Sequence, residues 1–535
     1  MLSFFKKSKG MKAFQDSPLF HFLPNGDIIC LCCQHKCVIP PGKLGKCRVR
    51  ANIDGKPHSP TWGQYTVCID PVEKKPLYHF LPGSKVYSYG TVGCNFNCQF
   101  CQNSSLSMWK LDIEDVAALD NSEGRKLAKH TPEEMVRDAL RSGCLSIAST
   151  YNEPTVSTEY SYEVFKLAKA KGLKTIYVTN GFESVETLNF IGPYLDAVNI
   201  DLKSFREEFY VKVLGGHLKG VCNTIKRCSK MGIHTEVTTL LIPDANDSDE
   251  EITDIANFIA GVDKDIPWHV SAYHDDYKFS GRGRTPVSTL ERAVEIGKKA
   301  GLKYIYMGNV RTPEGRNTFC PKCGNTLINR EWFDARPSLK KGTCKCGQVI
   351  PGVFVDAVNV KPRVDHVPQE LLDEPTTASV ALAAGGNTDE STKDGLNFVA
   401  YASQGGTSKE FAEKIGQNLG YKVIDFASLD VATLQAAKNA VFAVSTYGRG
   451  HPPATSREAW GKISEMTEKL PNLKFAILGC GSSSFEATFV GFAKSVNEKL
   501  LSLGGTQVTP LCTRDENEDE DDEKVDQWIT QLKFT

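Results

Sequence analysis

Residues 90–103 read GTVGCNFNCQFCQN, and Cys94, Cys98 and Cys101 within it form a C-x3-C-x2-C set. The run SYGTVG at 88–93 predicts a strand, and the cysteine set follows it directly. Three thiolates can hold three irons of a cubane. A fully capped 4Fe–4S cluster takes four, so this set leaves one iron open to a ligand that is not protein. The competing reading is a zinc knuckle, and that would lack its fourth ligand.

Outward from the loop, short apolar runs alternate with helical stretches. LSIAST (145–150), KTIYVTN (174–180), AVNIDLK (197–203), HTEVTTLLI (234–242), PWHVSAY (267–273) and YIYMGN (304–309) are separated by segments such as TPEEMVRDALRSG (131–143). That alternation predicts parallel βαβ units. Roughly seven strands precede Asn309, fewer than the eight of a closed barrel, so a partial (β/α) barrel is expected, with active residues at the strand C-terminal ends.

The chain has 535 residues, which implies two or three domains. Its composition, 41% hydrophobic and 24% charged with a net charge of -1, is that of a globular protein with no global attraction for nucleic acid or anionic membrane. No apolar run is long enough for a membrane span. A cytoplasmic location is expected, and the lysine-rich, acid-free opening MLSFFKKSKGMKAF leaves an organelle leader as the alternative.

Of 18 cysteines, 11 fall in three sets with metal-ligand spacing. Cys30, Cys33, Cys37 and Cys47 form C-x2-C-x3-C-x9-C, which suits zinc, an auxiliary iron–sulfur cluster, or an incomplete site completed by His35. Cys320, Cys323, Cys344 and Cys346 form C-x2-C-x20-C-x-C with Gly324 and Gly347 after the pairs, a zinc-ribbon or rubredoxin pattern for structural zinc or one iron. Cys32, Cys68, Cys144, Cys222, Cys228, Cys480 and Cys512 are expected as small apolar fillers. The expected organisation is a Cys-rich segment at 1–85, the partial barrel at 86–310, the ribbon-like segment at 311–360, a flexible linker at 361–395 and a second α/β domain at 396–535.

The three-cysteine loop resembles the cluster loop of the radical S-adenosylmethionine (SAM) superfamily. With CLCCQHKC, DPVEKKPLYHFLPGS, STYNEPT, VTNGF, NIDLKSF and PWHVSAYH in this order, residues 28–356 are similar to the radical SAM enzymes of the AmmeMemoRadiSam system, relatives of the pyruvate formate-lyase activating enzymes. The resemblance implies that the open iron chelates SAM and that Cys94, Cys98 and Cys101 are the catalytic cluster ligands. It also implies that Asn152 and Glu153 meet the SAM amino group, Thr179 and Asn180 the sugar or methionine, Asp201 the amino group or ribose, Lys203 the SAM carboxylate, and His269 the adenosine or substrate.

In the last domain, Ser403, Gln404, Gly405, Gly406, Thr407 and Ser408 link a predicted strand to a helix N-terminus, a setting that binds phosphate. With STYGRGHPP (445–453), LGCGSSSFEATF (478–489) and the acidic run from Asp515 to Glu523, this segment resembles flavodoxin and the FMN domains of diflavin reductases, a doubly wound parallel sheet. By that resemblance Ser445, Thr446, Tyr447, Gly448, Gly479 and Phe485 contact FMN, with Tyr447 stacking on the ring and Phe489 as a second candidate. Arg449 and His451 stand where acids are common in such domains.

The expected function is reductive cleavage of SAM at a 4Fe–4S cluster, yielding a 5′-deoxyadenosyl radical. That radical abstracts hydrogen from a protein, as glycyl-radical activases do, or from a small molecule, with electrons from the chain's own FMN and an external reductase for the flavin. A tRNA-modifying enzyme of the wybutosine type and a non-catalytic electron-transfer protein are the alternatives. No basic stretch with interleaved aromatics supports a nucleic-acid partner.

Overall fold

The computed structural model describes residues 12–372 and 396–534, apart from residues 15, 24, 110–126, 313–314, 404–406, 447–449, 454–455, 484–487, 516–517 and 519–520. The chain divides into two compact units, Met1–Leu372 and Asp373–Thr535.

Seven parallel strands build the first unit: β1 (Lys85–Gly90), β2 (Ser146–Ser149), β3 (Lys174–Thr179), β4 (Ala197–Asp201), β5 (His234–Leu241), β6 (Trp268–Ala272) and β7 (Ile305–Gly308). They pair in chain order, and β1 pairs antiparallel on its outer side with Gln64–Pro71, so the barrel stays open. Helices cross between successive strands. The first, Pro132–Arg141, shows why they form: Thr131 and Glu134 make a capping box, Pro132 sits in the first turn, and Met135, Val136 and Ala139 turn inward. Strand residues Ile147, Ile200 and Val237 are fully buried in the same apolar core as the helices.

Residues 12–71 are more ordered than their sequence suggested. A four-stranded and a three-stranded antiparallel sheet hold the first cysteine set, and Gln64–Pro71 belongs to the barrel sheet. The linker reading also needs correction. Residues 361–372 pack back on the barrel through Val364 N–H to Met231 O, Val367 N–H to Asn189 Oδ1 and Arg227 Nε–H to Leu371 O. Val367 enters the barrel core and Leu371 packs against it; two isolated apolar residues among prolines and charges make no periodic pattern that could have shown this. Residues 373–395 lie outside the described residues.

At the opposite end of the barrel from the three-cysteine loop, Glu236 accepts the N–H groups of Tyr78 and His79 and meets the rings of His234 and His269. His79 Nδ1 faces the carbonyl of Pro351, so it carries the proton, and a neutral ring leaves Nε2 to accept from the Tyr306 hydroxyl at 2.6 Å. Burial keeps His79 neutral and pulls its pKa from 6.5 down to about 4. An unfolded chain would take up that proton at the ordinary value. The stability it contributes is therefore full above pH 6.5 and is lost as pH falls towards 4. The melting temperature of the first unit should drop through that window, and His79→Gln should flatten the drop. A slope unchanged by the substitution would refute the assignment.

The second unit is a parallel sheet of β8 (Leu396–Ala402), β9 (Lys422–Asp425), β10 (Ala437–Ser445), β11 (Lys474–Gly481), β12 (Thr506–Gln507) and β13 (Cys512–Asp515). Its order is β9-β8-β10-β11, with β12 and β13 both pairing along the free edge of β11 as one interrupted strand. Counted that way the order is the 2-1-3-4-5 of doubly wound flavodoxin-like folds, whose ligand crevice opens where the order reverses, at the C-terminal ends of β8 and β10.

Candidate active site

The loop carrying Cys94, Cys98 and Cys101 leaves the C-terminal end of β1 and is held from three sides. Asn152, just past β2, accepts the Thr91 N–H at 3.0 Å and donates to the Gly93 carbonyl at 2.9 Å, clamping the loop one residue before Cys94. Gly90 lies so close to the Thr150 carbonyl that no side chain fits there. On the far side, a π-helical turn at Tyr210–Leu214 frees carbonyls that a regular helix would use itself. Leu214 O accepts from Asn97 N–H at 2.7 Å and Val213 O from Gln99 N–H at 3.2 Å. Sequence reading missed this turn. Its signal was the pair Gly215-Gly216, where Gly215 adopts a left-handed φ of 76° and a Cβ on Gly216 would strike the Phe96 ring.

Around the sulfurs, the Phe96 N–H approaches Cys94 Sγ at 3.4 Å, Asn180 Nδ2 approaches it at 3.8 Å, and Ser107 Oγ lies 3.0 Å from Cys101 Sγ. Burial raises the Cys94 thiol and pushes Cys98 up to about 12. The thiols need a metal to ionise them. Three sulfurs on one loop with N–H groups directed at Cys94 fit an iron–sulfur cluster.

The strand-end residues divide by role. Asp201 ends β4, and its Oδ2 pairs with Lys203 Nζ at 2.8 Å. Burial opposes the charge on Lys203, but Asp201 and the sulfurs of Cys98 and Cys101 hold its ammonium above the ordinary range. Both side chains keep some exposure, 15% for Lys203 and 32% for Asp201, so this pair can meet a ligand.

Glu153 is spent inside the protein. It accepts from Thr155 N–H, the Thr155 and Thr179 hydroxyls and Asn180 N–H. The Thr179 hydroxyl also lies 2.6 Å from Glu183 Oε1, and with one proton it cannot donate to two carboxylates. Glu183 must bring its own proton; burial, then the Glu153 charge, lifts it to about 8. Sequence reading had no signal for this acid beyond its place just after VTNGF.

His269 is the second residue of β6, at the strand's N-terminal end, and is hydrogen-bonded to Glu236 at 2.7 Å. It is not brought to the mouth where Cys94, Asn180 and Lys203 meet. Period-two reading located the strand but not which of its ends carried the histidine.

In the ribbon, Sγ of Cys320 is 3.6 Å from that of Cys346, and Cys323 Sγ is 3.6 Å from Cys344 Sγ. Four sulfurs on one tetrahedral ion at about 2.3 Å stand roughly 3.8 Å apart. The set therefore fits a single ion. Among the described residues it is the one group whose ligand atoms all lie within 4.8 Å of one another.

The N-terminal cysteines line one pocket. Cys30, Cys33, Cys37 and Cys47 are joined there by His35, Arg50, Asn95 and also Cys32, which is no mere filler. Nor is Cys68, which is exposed.

In the second unit the described residues of the phosphate loop are Ser403, Thr407 and Ser408. Ser408 Oγ donates to the Ala402 carbonyl and lies 2.7 Å from Ser445 Oγ, bridging β8 and β10 at the crevice. Ser408 is thus spent inside the fold, and Thr407 with the N-terminus of the helix Thr407–Leu419 is left as the donor set that fits phosphate. Thr446 Oγ1 instead accepts from Phe492 N–H, and Gly479 gives the helix Gly491–Ser502 room, since its Cβ would meet that of Ala493 at 2.7 Å. Gln404, Gly405, Gly406, Tyr447, Gly448, Arg449 and Phe485 lie outside the described residues.

A parallel partial barrel with a three-cysteine loop at its mouth, followed by a flavodoxin-type sheet, defines an iron–sulfur enzyme with a flavin domain. Residues 88–259 match the family described as the radical SAM superfamily, and residues 399–528 match flavodoxin. The chain belongs to the radical SAM superfamily and carries a C-terminal flavodoxin domain, so its cofactors are a 4Fe–4S cluster, SAM and FMN.

The chain is 36% identical over 342 residues, 63% of its length, to 98% of the uncharacterized protein MJ0808 of Methanocaldococcus jannaschii. It is 29% identical over 34% of its length to 65% of that organism's "Putative glycyl-radical enzyme activating enzyme MJ1632". It is 34% identical over 25% of its length to the mouse NADPH-dependent diflavin oxidoreductase 1, of which it spans 24%. Among the described residues no helix is long and apolar enough to cross a membrane.

Proposed function

We propose that the chain reductively cleaves SAM and uses the product radical to abstract hydrogen from a partner protein, with electrons supplied by its own FMN domain. The observation that carries this reading is the meeting of Cys94, Cys98 and Cys101 with Asn180 and the Asp201–Lys203 pair at one barrel mouth. When bound, cluster and SAM together supply one-electron cleavage of the sulfonium to methionine and a 5′-deoxyadenosyl radical, which becomes 5′-deoxyadenosine on taking a hydrogen atom.

The chain's residues do the rest. Lys203 offers a cation to the SAM carboxylate and Asp201 an acceptor to its amino group or ribose. Asn152 and the π-helical turn fix the loop, and Asn180 directs an N–H at Cys94. Glu153 and Thr179 act behind the site, Glu153 accepting the Asn180 N–H and the Thr179 hydroxyl the Gly181 N–H, and the reading gives His269 no ligand contact. A protein substrate is favoured by the relative named as a glycyl-radical activase.

In the second unit, Ser403, Thr407 and the N-terminus of the helix Thr407–Leu419 would hold the FMN phosphate, with Ser408 bracing β8 behind them. The FMN draws on an external reductase, and zinc or one iron fills the ribbon. Fusion keeps the flavin at roughly millimolar effective concentration.

Anaerobically reconstituted full-length protein, reduced through its flavin, should release 5′-deoxyadenosine and methionine in equal amounts. Protein with a verified, reduced cluster that releases neither would overturn the reading.

A further inference from the structure

The N-terminal cysteine pocket takes no part in that chemistry, yet it has the makings of a second redox site. Its cavity volume is about 10 Å³, and Cys30, Cys32, Cys33, Cys37 and Cys47 line it together with His35, Lys46, Arg50 and Asn95. Arg50 and Asn95 are each only 2% exposed, and Arg50 Nε and Asn95 Nδ2 are buried with no acceptor. The terminal nitrogens of Arg50 are committed to Glu159, NH1 at 2.8 Å and NH2 at 2.5 Å, which leaves Nε for the pocket.

A buried donor without an acceptor is costly. A metal ion itself accepts no hydrogen bond, but the thiolates bound to it and the inorganic sulfide of a cluster both do. Spacing agrees: among the described residues only the ribbon's four cysteines gather as a single-ion group, and a cluster separates its thiolates because each binds a different iron.

We infer that this pocket holds a second iron–sulfur cluster, ligated by Cys30, Cys33, Cys37 and Cys47, with Arg50 and Asn95 donating to its sulfides and Cys32 beside Cys30. His35 Nε2 lies 2.9 Å from the carbonyl of Asn95, the residue after Cys94, so one side chain and one peptide connect the two sites. An electron from a reduced flavin, or from dithionite in vitro, can rest here and pass to the cluster at Cys94. The donor loses one electron, the acceptor gains one, and no bond or proton moves.

The test counts acid-labile sulfide in the full-length Cys94→Ala/Cys98→Ala/Cys101→Ala protein after anaerobic reconstitution. The expected result is about four sulfides per chain, removed by adding Cys33→Ser and Cys37→Ser. Zinc without labile sulfide would overturn the inference.

If the triple variant does not fold, Cys33→Ser/Cys37→Ser in the otherwise native chain should lower labile sulfide from about eight to about four, and an unchanged count would overturn it. Fully reduced native protein should show spin–spin coupling between two clusters by electron paramagnetic resonance; two independent signals would overturn the relay. Deoxyadenosine formation by protein holding only four sulfides would sink this inference and leave the proposed function standing.

Discussion

Cys98→Ala in full-length, anaerobically reconstituted protein is expected to abolish 5′-deoxyadenosine formation and to strip the iron and sulfide held at the barrel mouth. The reason lies in how the loop is held. Cys98 sits between two backbone hydrogen bonds to the π-helical turn, Asn97 N–H to Leu214 O and Gln99 N–H to Val213 O, and Lys278 N–H closes on Gln99 O from the other side. That backbone cannot slide a neighbouring donor into the vacant place. The nearest residues, Asn97 and Gln99, offer amides where iron needs a thiolate. Cys144→Ala serves as the control, since Cys144 is buried among apolar residues of the barrel core. A Cys98→Ala protein that still forms deoxyadenosine at the native rate would remove that thiol from the mechanism.

Asn152→Ala is expected to lower deoxyadenosine formation roughly 10–100-fold, the usual cost of losing a residue that orients a metal ligand. Its side chain holds both the Thr91 N–H and the Gly93 carbonyl, so alanine leaves two backbone groups of the cluster loop unpaired in the interior. Asn152→Asp keeps the acceptor for Thr91 and loses the donor to Gly93. Its activity should fall between the two. The effect should appear as weaker iron retention and a shifted cluster signal; a change in the Michaelis constant for SAM alone, with cluster properties intact, would show that Asn152 touches SAM directly.

Much of this site could be read without coordinates. The spacing of Cys94, Cys98 and Cys101 is covalent information, and so are the ribbon's paired cysteines. The alternation of short β-branched runs with amphipathic helices places Asp201 and Lys203 at a strand's end before any contact is known. What escaped were decisions made by side-chain direction and by distant partners. Asn152 and Glu153 are adjacent, yet one clamps the cluster loop and the other is consumed by Thr155, Thr179 and Asn180. His269 was legible as part of a strand, while the end of the barrel it occupies depended on where that strand begins.

By itself, then, the sequence determined the spaced cysteine sets, the two α/β units and their order along the chain, because these depend on local periodicity and on residues a few positions apart. Tertiary structure alone decided which polar groups face a ligand and which satisfy one another. It brought Glu183 to Thr179, His35 to Asn95 and residues 361–372 back onto the barrel. The physical reason is that a buried polar atom must find a partner wherever the fold supplies one, and for these residues the partner lies far along the chain or across a strand end, where spacing carries no record of it.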